Sequence, residues 1–239
     1  DSRLTMADDP DIAPDGKTYF RDCTTRYEMT TNTLDLIEGR PNGRLVCYDP
    51  ATKKTKTLIS HFHFPNGICV AHDGRSVLVA STTLCKVYRY WLEGPKAGKL
   101  EIVLDEIPGN CDNINRASDG NYWLALVGIR TPAFDLASRM PGFRLRMVKP
   151  TPIDEWLAPG LNHGCVLKFT EQGEVLESFW DPTGVSHSTL TSMREHKGWL
   201  YLGGLENNRI GRIKLEGVDP TWTGYEAYWG SKRRDKGTA

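Results

Sequence analysis

Short apolar runs, each opened by a glycine turn, recur along the chain and predict its architecture. Tyr19-Phe20 follows Asp15-Gly16, and Val77-Leu78-Val79-Ala80 follows Asp73-Gly74. Tyr122-Trp123-Leu124-Ala125 follows Asp119-Gly120, and Trp199-Leu200-Tyr201-Leu202 follows Lys197-Gly198. Asp-Gly between two β-type runs is a strong hairpin signal, because the turn needs positive φ and glycine adopts it without steric penalty. A short strand precedes each turn. Beyond each apolar strand lies another in which apolar and polar residues alternate, at 43–48, 85–90, 164–169 and 209–213. A period of two marks half-buried strands, and no 3.6-residue periodicity competes with it.

The turn glycines Gly16, Gly74, Gly120 and Gly198 are 58, 46 and 78 residues apart. The long gaps carry insertions near 23–42 and 128–162, and without them the unit falls in the mid-forties. Repeats of about 40–50 residues with four strands each indicate a β-propeller. The expectation is an all-β chain: a propeller domain over residues 1–230 with about four blades, then a basic tail over 231–239. In the insertion at 128–162, Phe134, Leu136, Met140, Phe143, Leu145, Met147 and Val148 alternate with arginines, and prolines break the segment at 132, 141, 150, 152 and 159. It reads as short helices and loops over one propeller face, either a surface loop or a lid with an apolar underside. Trp222, Tyr225, Tyr228 and Trp229 are expected to pack on the last blade.

Charge and composition narrow the function. Lys and Arg total 30, as do Asp and Glu, so the formal net charge is zero and the basic field that nucleic acid requires is absent. The run Lys232-Arg233-Arg234 reads as a solvated tail. No apolar run approaches the roughly 20 residues of a membrane-spanning helix. The six cysteines show no CxxC spacing and read as buried thiols, leaving the cellular compartment open. The chain begins at Asp1, which suggests a processed or truncated start. Nucleophile-elbow, HExxH and phosphate-loop motifs are all missing.

In a propeller the first strand of each blade lines the central channel, so equivalent positions converge there. Eight residues before each turn glycine stand Asp8, Asn66, Asp112 and Leu190, and Asp9 and Asn113 follow directly in two blades. Carboxylate and amide oxygens meeting in one cavity suit a hard cation such as Ca²⁺. The competing reading is that they cap turns and satisfy strand ends, as Asn and Asp often do. His187 and Ser188 open the last inner strand toward the channel mouth. His61 and His63 read as polar strand residues.

Several motifs together resemble the strictosidine synthase-like family. They are Asp11-Ile12-Ala13-Pro14-Asp15-Gly16 with Tyr19-Phe20-Arg21-Asp22; Gly43-Arg44-Leu45 with Tyr48-Asp49-Pro50; Phe64-Pro65-Asn66-Gly67; Arg89-Tyr90-Trp91-Leu92 with Gly94-Pro95-Lys96-Ala97-Gly98; and Asp112-Asn113-Ile114. The resemblance implies a six-bladed propeller related to gluconolactonases, senescence-marker proteins and paraoxonases, of which this chain supplies about four blades from the third onward. It also implies a divalent metal, most simply calcium, held by Asn66 and Asp112 with Asn113 and with Asp9 of the Asp8-Asp9 region. The family's further glutamate ligand belongs to a first blade that this chain lacks. True strictosidine synthase carries a glutamate where Thr191 stands here, which argues against amine–aldehyde condensation.

The function expected on this basis is metal-dependent hydrolysis of lactones or esters. Asp112 or Asp8 would act as base, and the 128–162 insertion would wall a substrate pocket containing His187, Thr191, Phe134 and Phe143. A non-catalytic binding or scaffold propeller and a metal-free condensing enzyme are the alternatives. The expected partner is a small-molecule substrate, with self-association possible through unpaired blade edges.

Overall fold

A computed structural model of the chain describes residues 3–147 and 162–224. Four antiparallel sheets succeed one another along it. The first contains β1 (Ala7–Ile12), β2 (Thr18–Asp22), β3 (Gly43–Asp49) and β4 (Lys54–Phe62); the second β5 (Pro65–Val70), β6 (Ser76–Ser81), β7 (Lys86–Trp91) and β8 (Leu100–Leu104). The third contains β9 (Gly109–Arg116), β10 (Tyr122–Ile129), β11 (Gly164–Phe169) and β12 (Val175–Asp181). Among the described residues the fourth has β13 (Leu190–His196), β14 (Trp199–Gly204) and β15 (Gly211–Lys214). Each sheet meanders outward from its first strand, and the first strands touch in series, β1 to β5 to β9 to β13. These are four propeller blades, as the repeat predicts. The four turn glycines adopt φ of 87, 74, 86 and 75°.

The middle strands explain why the blades stack. Their side chains alternate between two faces, and both faces are buried. On β6, Val77 and Val79 pack toward the first blade with Tyr19, Leu45 and Cys47, while Leu78 and Ala80 pack toward the third with Leu124 and Leu126. On β10, Tyr122, Leu124 and Leu126 face the second blade, while Trp123 and Ala125 meet Leu190, Met193 and Leu200 of the fourth. Each blade boundary thus has its own apolar core. All six cysteines are buried and unpaired, most of them in these cores.

Polar side chains stitch the inner strands where no backbone ladder joins them. Asp9 Oδ2 accepts the Ile68 N–H at 2.6 Å, and Asp11 Oδ2 accepts that of Val70 at 2.8 Å. Arg116 grips Asp11 with two contacts of 2.6 and 3.1 Å and donates to the Val70 carbonyl at 2.6 Å, tying three blades together. Such side chains supply partners that buried backbone groups would otherwise lack.

The insertions are helical where described. Residues 23–42 contain a 3-10 turn (Met29–Thr31) and α1 (Thr33–Glu38), which ends on Gly39 in the left-handed conformation. The 128–162 insertion forms α2 (Pro132–Arg139), capped by the Thr131 hydroxyl accepting from the Phe134 N–H at 3.1 Å, and α3 (Pro141–Met147). Helix α3 contacts both α2 and α1, so the two insertions meet over one face. The rest of this insertion (148–161), the basic tail (231–239), and Tyr225, Tyr228 and Trp229 lie outside the described residues. Trp222 is buried, and its carbonyl accepts the Lys197 N–H of the fourth turn at 2.7 Å. No described helix is long and apolar enough to cross a membrane.

Close approach of β5 and β9 generates a stability prediction. A Cβ on Gly67 would lie 2.4 Å from the Asp112 carbonyl oxygen and 2.5 Å from the Ile114 nitrogen, backbone atoms that cannot step aside. Gly67→Ala should therefore destabilise the fold by about 2–3 kcal/mol, read as a lower urea midpoint at unchanged slope.

Candidate functional site in the propeller channel

All four inner strands are irregular at the positions that face the channel. Strand register shifts between Asp8 and Asp11 on β1, between Pro65 and Ile68 on β5, and between Leu190 and Ser192 on β13. On β9 it shifts between Cys111 and Ile114, opposite Leu126 and Leu124. A bulge re-aims side chains out of the ladder, and here each one presents a polar residue. Asp8, Asn66, Asp112, Asn113 and Thr191 consequently line one cavity of about 730 Å³. Its apolar wall includes Met29 and Leu36 of the 23–42 insertion, with Val127 and Leu205.

A residue to which sequence reasoning assigned no role lines the same cavity. Arg21 sits on β2, one strand out from the channel, and is only 4% exposed. Its Nη2 donates to Asn66 Oδ1 at 2.6 Å and to Asp8 Oδ2 at 3.1 Å. Asn66 is held from its other end, where Nδ2 donates to Thr82 Oγ1 at 3.1 Å and that hydroxyl donates to the Cys111 carbonyl at 2.7 Å. The amide oxygen is thereby committed to Arg21. Among the described residues, buried Arg21 Nε and Nη1 find no acceptor, and buried Asn113 Oδ1 finds no donor. Buried polar atoms normally have partners, so such orphans mark a place where a ligand or water completes the set. The neighbouring Asp22 turns to the opposite face of β2, where Arg44 Nη2 meets it at 2.8 Å.

Burial dominates the electrostatics of the two remaining carboxyls. Desolvation pushes Asp112 up to about 7; the Arg21 charge and the Asn66 amide oppose this, and Asp9 and Asp8 add to it. Desolvation likewise raises Asp9 to about 6, against the Arg21 charge and the Ile68 N–H.

The predicted site residues divide. Asp8, Asn66, Asp112, Asn113 and Thr191 are brought together. Asp9 instead lines a smaller space of about 260 Å³ with Asp11, Arg116, Arg194 and Glu195, and its carboxylate serves the β5 backbone. Its left-handed backbone, φ 47°, turns it away from Asp8. His187 lies outside the residues lining the large cavity; its N–H donates to Asp181 Oδ2 at 2.8 Å and its ring packs beside Gly211. Phe134 packs against the core between the second and third blades. Half-buried Phe143, on α3, is also outside the lining set. Of the two insertions, it is 23–42 rather than the described part of 128–162 that contributes apolar residues to the wall. The reason is connectivity: that insertion leaves β2 directly beyond Arg21 and Asp22. Thr191 replaces Leu190 in the channel because the fourth turn is shorter, and Leu190 is buried in the core instead.

A divalent ion does not fit the described donors. Among the described residues no three His, Cys, Asp or Glu side chains converge to hold one. Of the four expected ligands, Asn66 Oδ1 accepts from the Arg21 guanidinium and Asp9 Oδ2 from the Ile68 N–H, which leaves Asp112 and Asn113 alone, beside a fixed positive charge that repels a second cation.

Comparison with known proteins places this geometry. The strictosidine synthase family profile matches residues 8–95. Protein STRICTOSIDINE SYNTHASE-LIKE 13 of Arabidopsis thaliana is 36% identical over 185 residues, covering 76% of this chain and 45% of that protein. The adipocyte plasma membrane-associated protein of Salmo salar is 32% identical over 221 residues, covering 90% and 53% respectively. The chain thus spans about half the length of the curated relatives it matches. Among solved structures, a luciferin-regenerating enzyme superposes with a TM-score of 0.57 at 16% identity, covering 91% of this chain and 64% of the other. A gluconolactonase from Xanthomonas campestris gives 0.57 at 13% identity, covering 89% and 58%. The calcium-binding protein regucalcin from Agrobacterium tumefaciens gives 0.56 at 14%, covering 91% and 63%. At such identities the likeness shows the propeller fold.

The raised Asp112 carboxyl has a thermodynamic signature. The folded state keeps a proton that the unfolded chain releases, so stability present below about pH 4 is lost as pH rises toward about 7. Asp112→Asn removes that slope. Urea unfolding at pH 4.5 and pH 8 should show the variant gaining on the parent at the higher pH, by on the order of 2–4 kcal/mol.

Proposed function

The chain belongs to the strictosidine synthase-like family, and from that premise we propose that its channel cavity hydrolyses a lactone or ester, with Asp112 as general base. One observation carries the reading: a carboxylate only 8% exposed shares a partly apolar cavity with a buried guanidinium that has hydrogen-bond donors to spare. A gluconolactonase among the proteins of the same fold is in keeping with it.

The chemistry follows from these groups. Asp112 takes a proton from water as the water oxygen bonds to the substrate carbonyl carbon. Negative charge develops on the carbonyl oxygen, and Arg21 supplies the N–H donors that stabilise it in a poorly solvated site. Collapse of the tetrahedral intermediate breaks the carbon–oxygen bond to the leaving group, which recovers the proton from Asp112. Acid and alcohol are the products, or a single hydroxy acid from a lactone. Asn66, fixed by Thr82, holds Arg21 in place, and Asp8 offers a second carboxylate at the more exposed edge.

Amine–aldehyde condensation draws no support from this cavity. Thr191 contributes a hydroxyl where a carboxylate would be needed, and Glu195 of the same strand lines the other space and accepts from Trp123 Nε1 at 3.0 Å. The test is a panel of aryl acetates and γ- and δ-lactones given to the full-length protein. Asp112→Asn should lower kcat/KM at least about 100-fold with an unchanged circular dichroism spectrum. An undiminished Asn variant would remove Asp112 from the chemistry. Saturable lactone binding without turnover in the parent would make the cavity a binding site instead.

A further inference from the structure

Arg21 occupies an unusual position for a positive charge. It is buried to within 5% of its side-chain surface, on the second strand of a blade, yet it reaches the channel-facing oxygens of two inner strands. Only one of its three nitrogens is used there, while Nε and Nη1 stay without acceptors among the described residues. Desolvating a guanidinium is costly unless the surroundings require the charge. Here they do: Asp8, Asp9 and Asp112 all feel it or contact it, and it opposes the upward displacement of both Asp9 and Asp112.

We infer that Arg21 is the fixed cation of this channel, standing on the oxygens that would otherwise admit a divalent ion, so that the cavity binds its ligands without metal. Three features converge on this. Asn66 is clamped by Thr82 so that its oxygen faces Arg21 and not an open position. The shared Nη2 donor bridges the first and second blades, as a bridging ion would. Removing the charge would leave Asp8, Asn66 and Asp112 as an oxygen-rich, net-negative pocket, which is the composition a hard cation prefers. The same reasoning identifies the ligand group. One guanidinium beside the two cavity carboxyls, Asp8 and Asp112, does not make an anion site, so the free Nε and Nη1 suit a neutral acceptor such as the carbonyl oxygen of an uncharged ester or lactone. The metal exclusion concerns binding alone and stands apart from the hydrolytic reading; a protein that hydrolyses nothing but rejects calcium still satisfies it.

The experiment is calorimetric titration of calcium chloride into the full-length protein, the Arg21→Met variant and the Arg21→Lys variant, each checked for fold by circular dichroism. The parent and the Lys variant should give no saturable heat, and the Met variant should gain calcium affinity on the order of 100-fold or more. Stoichiometric calcium binding by the parent that disappears in Asn66→Ala would overturn the inference. So would a folded Met variant with no gain. If the Met variant does not fold, the parent titration decides by itself, with silence supporting the inference and channel-dependent binding ending it.

Discussion

The structure depends on the two-sided burial of its middle strands. A strand inside a propeller blade has no solvent face, because its alternate side chains enter the cores on either side. On β10 this makes Tyr122-Trp123-Leu124-Ala125 an unbroken apolar run whose members serve two different blade boundaries. The outer strands β4 and β12 expose most of their residues, β8 is part-exposed, and together they carry the polar surface. Stacking blades, not any single sheet, generates the core, and the channel is what remains where the first strands diverge.

That divergence sets the character of the channel. First strands of neighbouring blades are too splayed to share a ladder, so side chains must satisfy backbone groups across the gap. Asp9, Asp11, Asn115 and Arg116 all do this, Asn115 by donating to the Met193 carbonyl at 2.7 Å. Polar residues at the channel therefore carry two distinct roles along the same strands. Those toward the β-hairpin turns hold the blades together. Those at the bulges face a cavity and have atoms left over for a ligand.

Charge balance within the cavity follows from that arrangement. Asp112 in the cavity and Asp9 beside it are poorly solvated, and together with the more exposed Asp8 they would repel one another and favour protonation. A single guanidinium brought in from β2 limits this without saturating its own donors. An internal arginine is always charged and cannot be lost to solvent or chelation, so the field at Asp112 is constant in a way that a dissociable ion would not provide.

Local pattern determined a great deal here. The Asp-Gly turns, the apolar second strands and the alternating third strands were legible because hairpin turns and two-sided burial impose short-range constraints on residue type. The polar positions ahead of each turn could be aligned by counting, which located Asp8, Asn66 and Asp112 at one cavity. Counting failed where spacing changed: the shorter fourth turn moved the channel position from Leu190 to Thr191, and the left-handed backbone at Asp9 sent that carboxyl to the other space. Arg21 illustrates what no local pattern could convey. It follows Tyr19-Phe20 in a second strand, and only the closing of one blade against the next buries it and brings Asp8 and Asn66, 13 and 45 residues away, within reach. Strand order and turn chemistry are written in neighbouring residues, whereas the charge at the centre of the channel is decided by contacts between blades, which exist only in three dimensions.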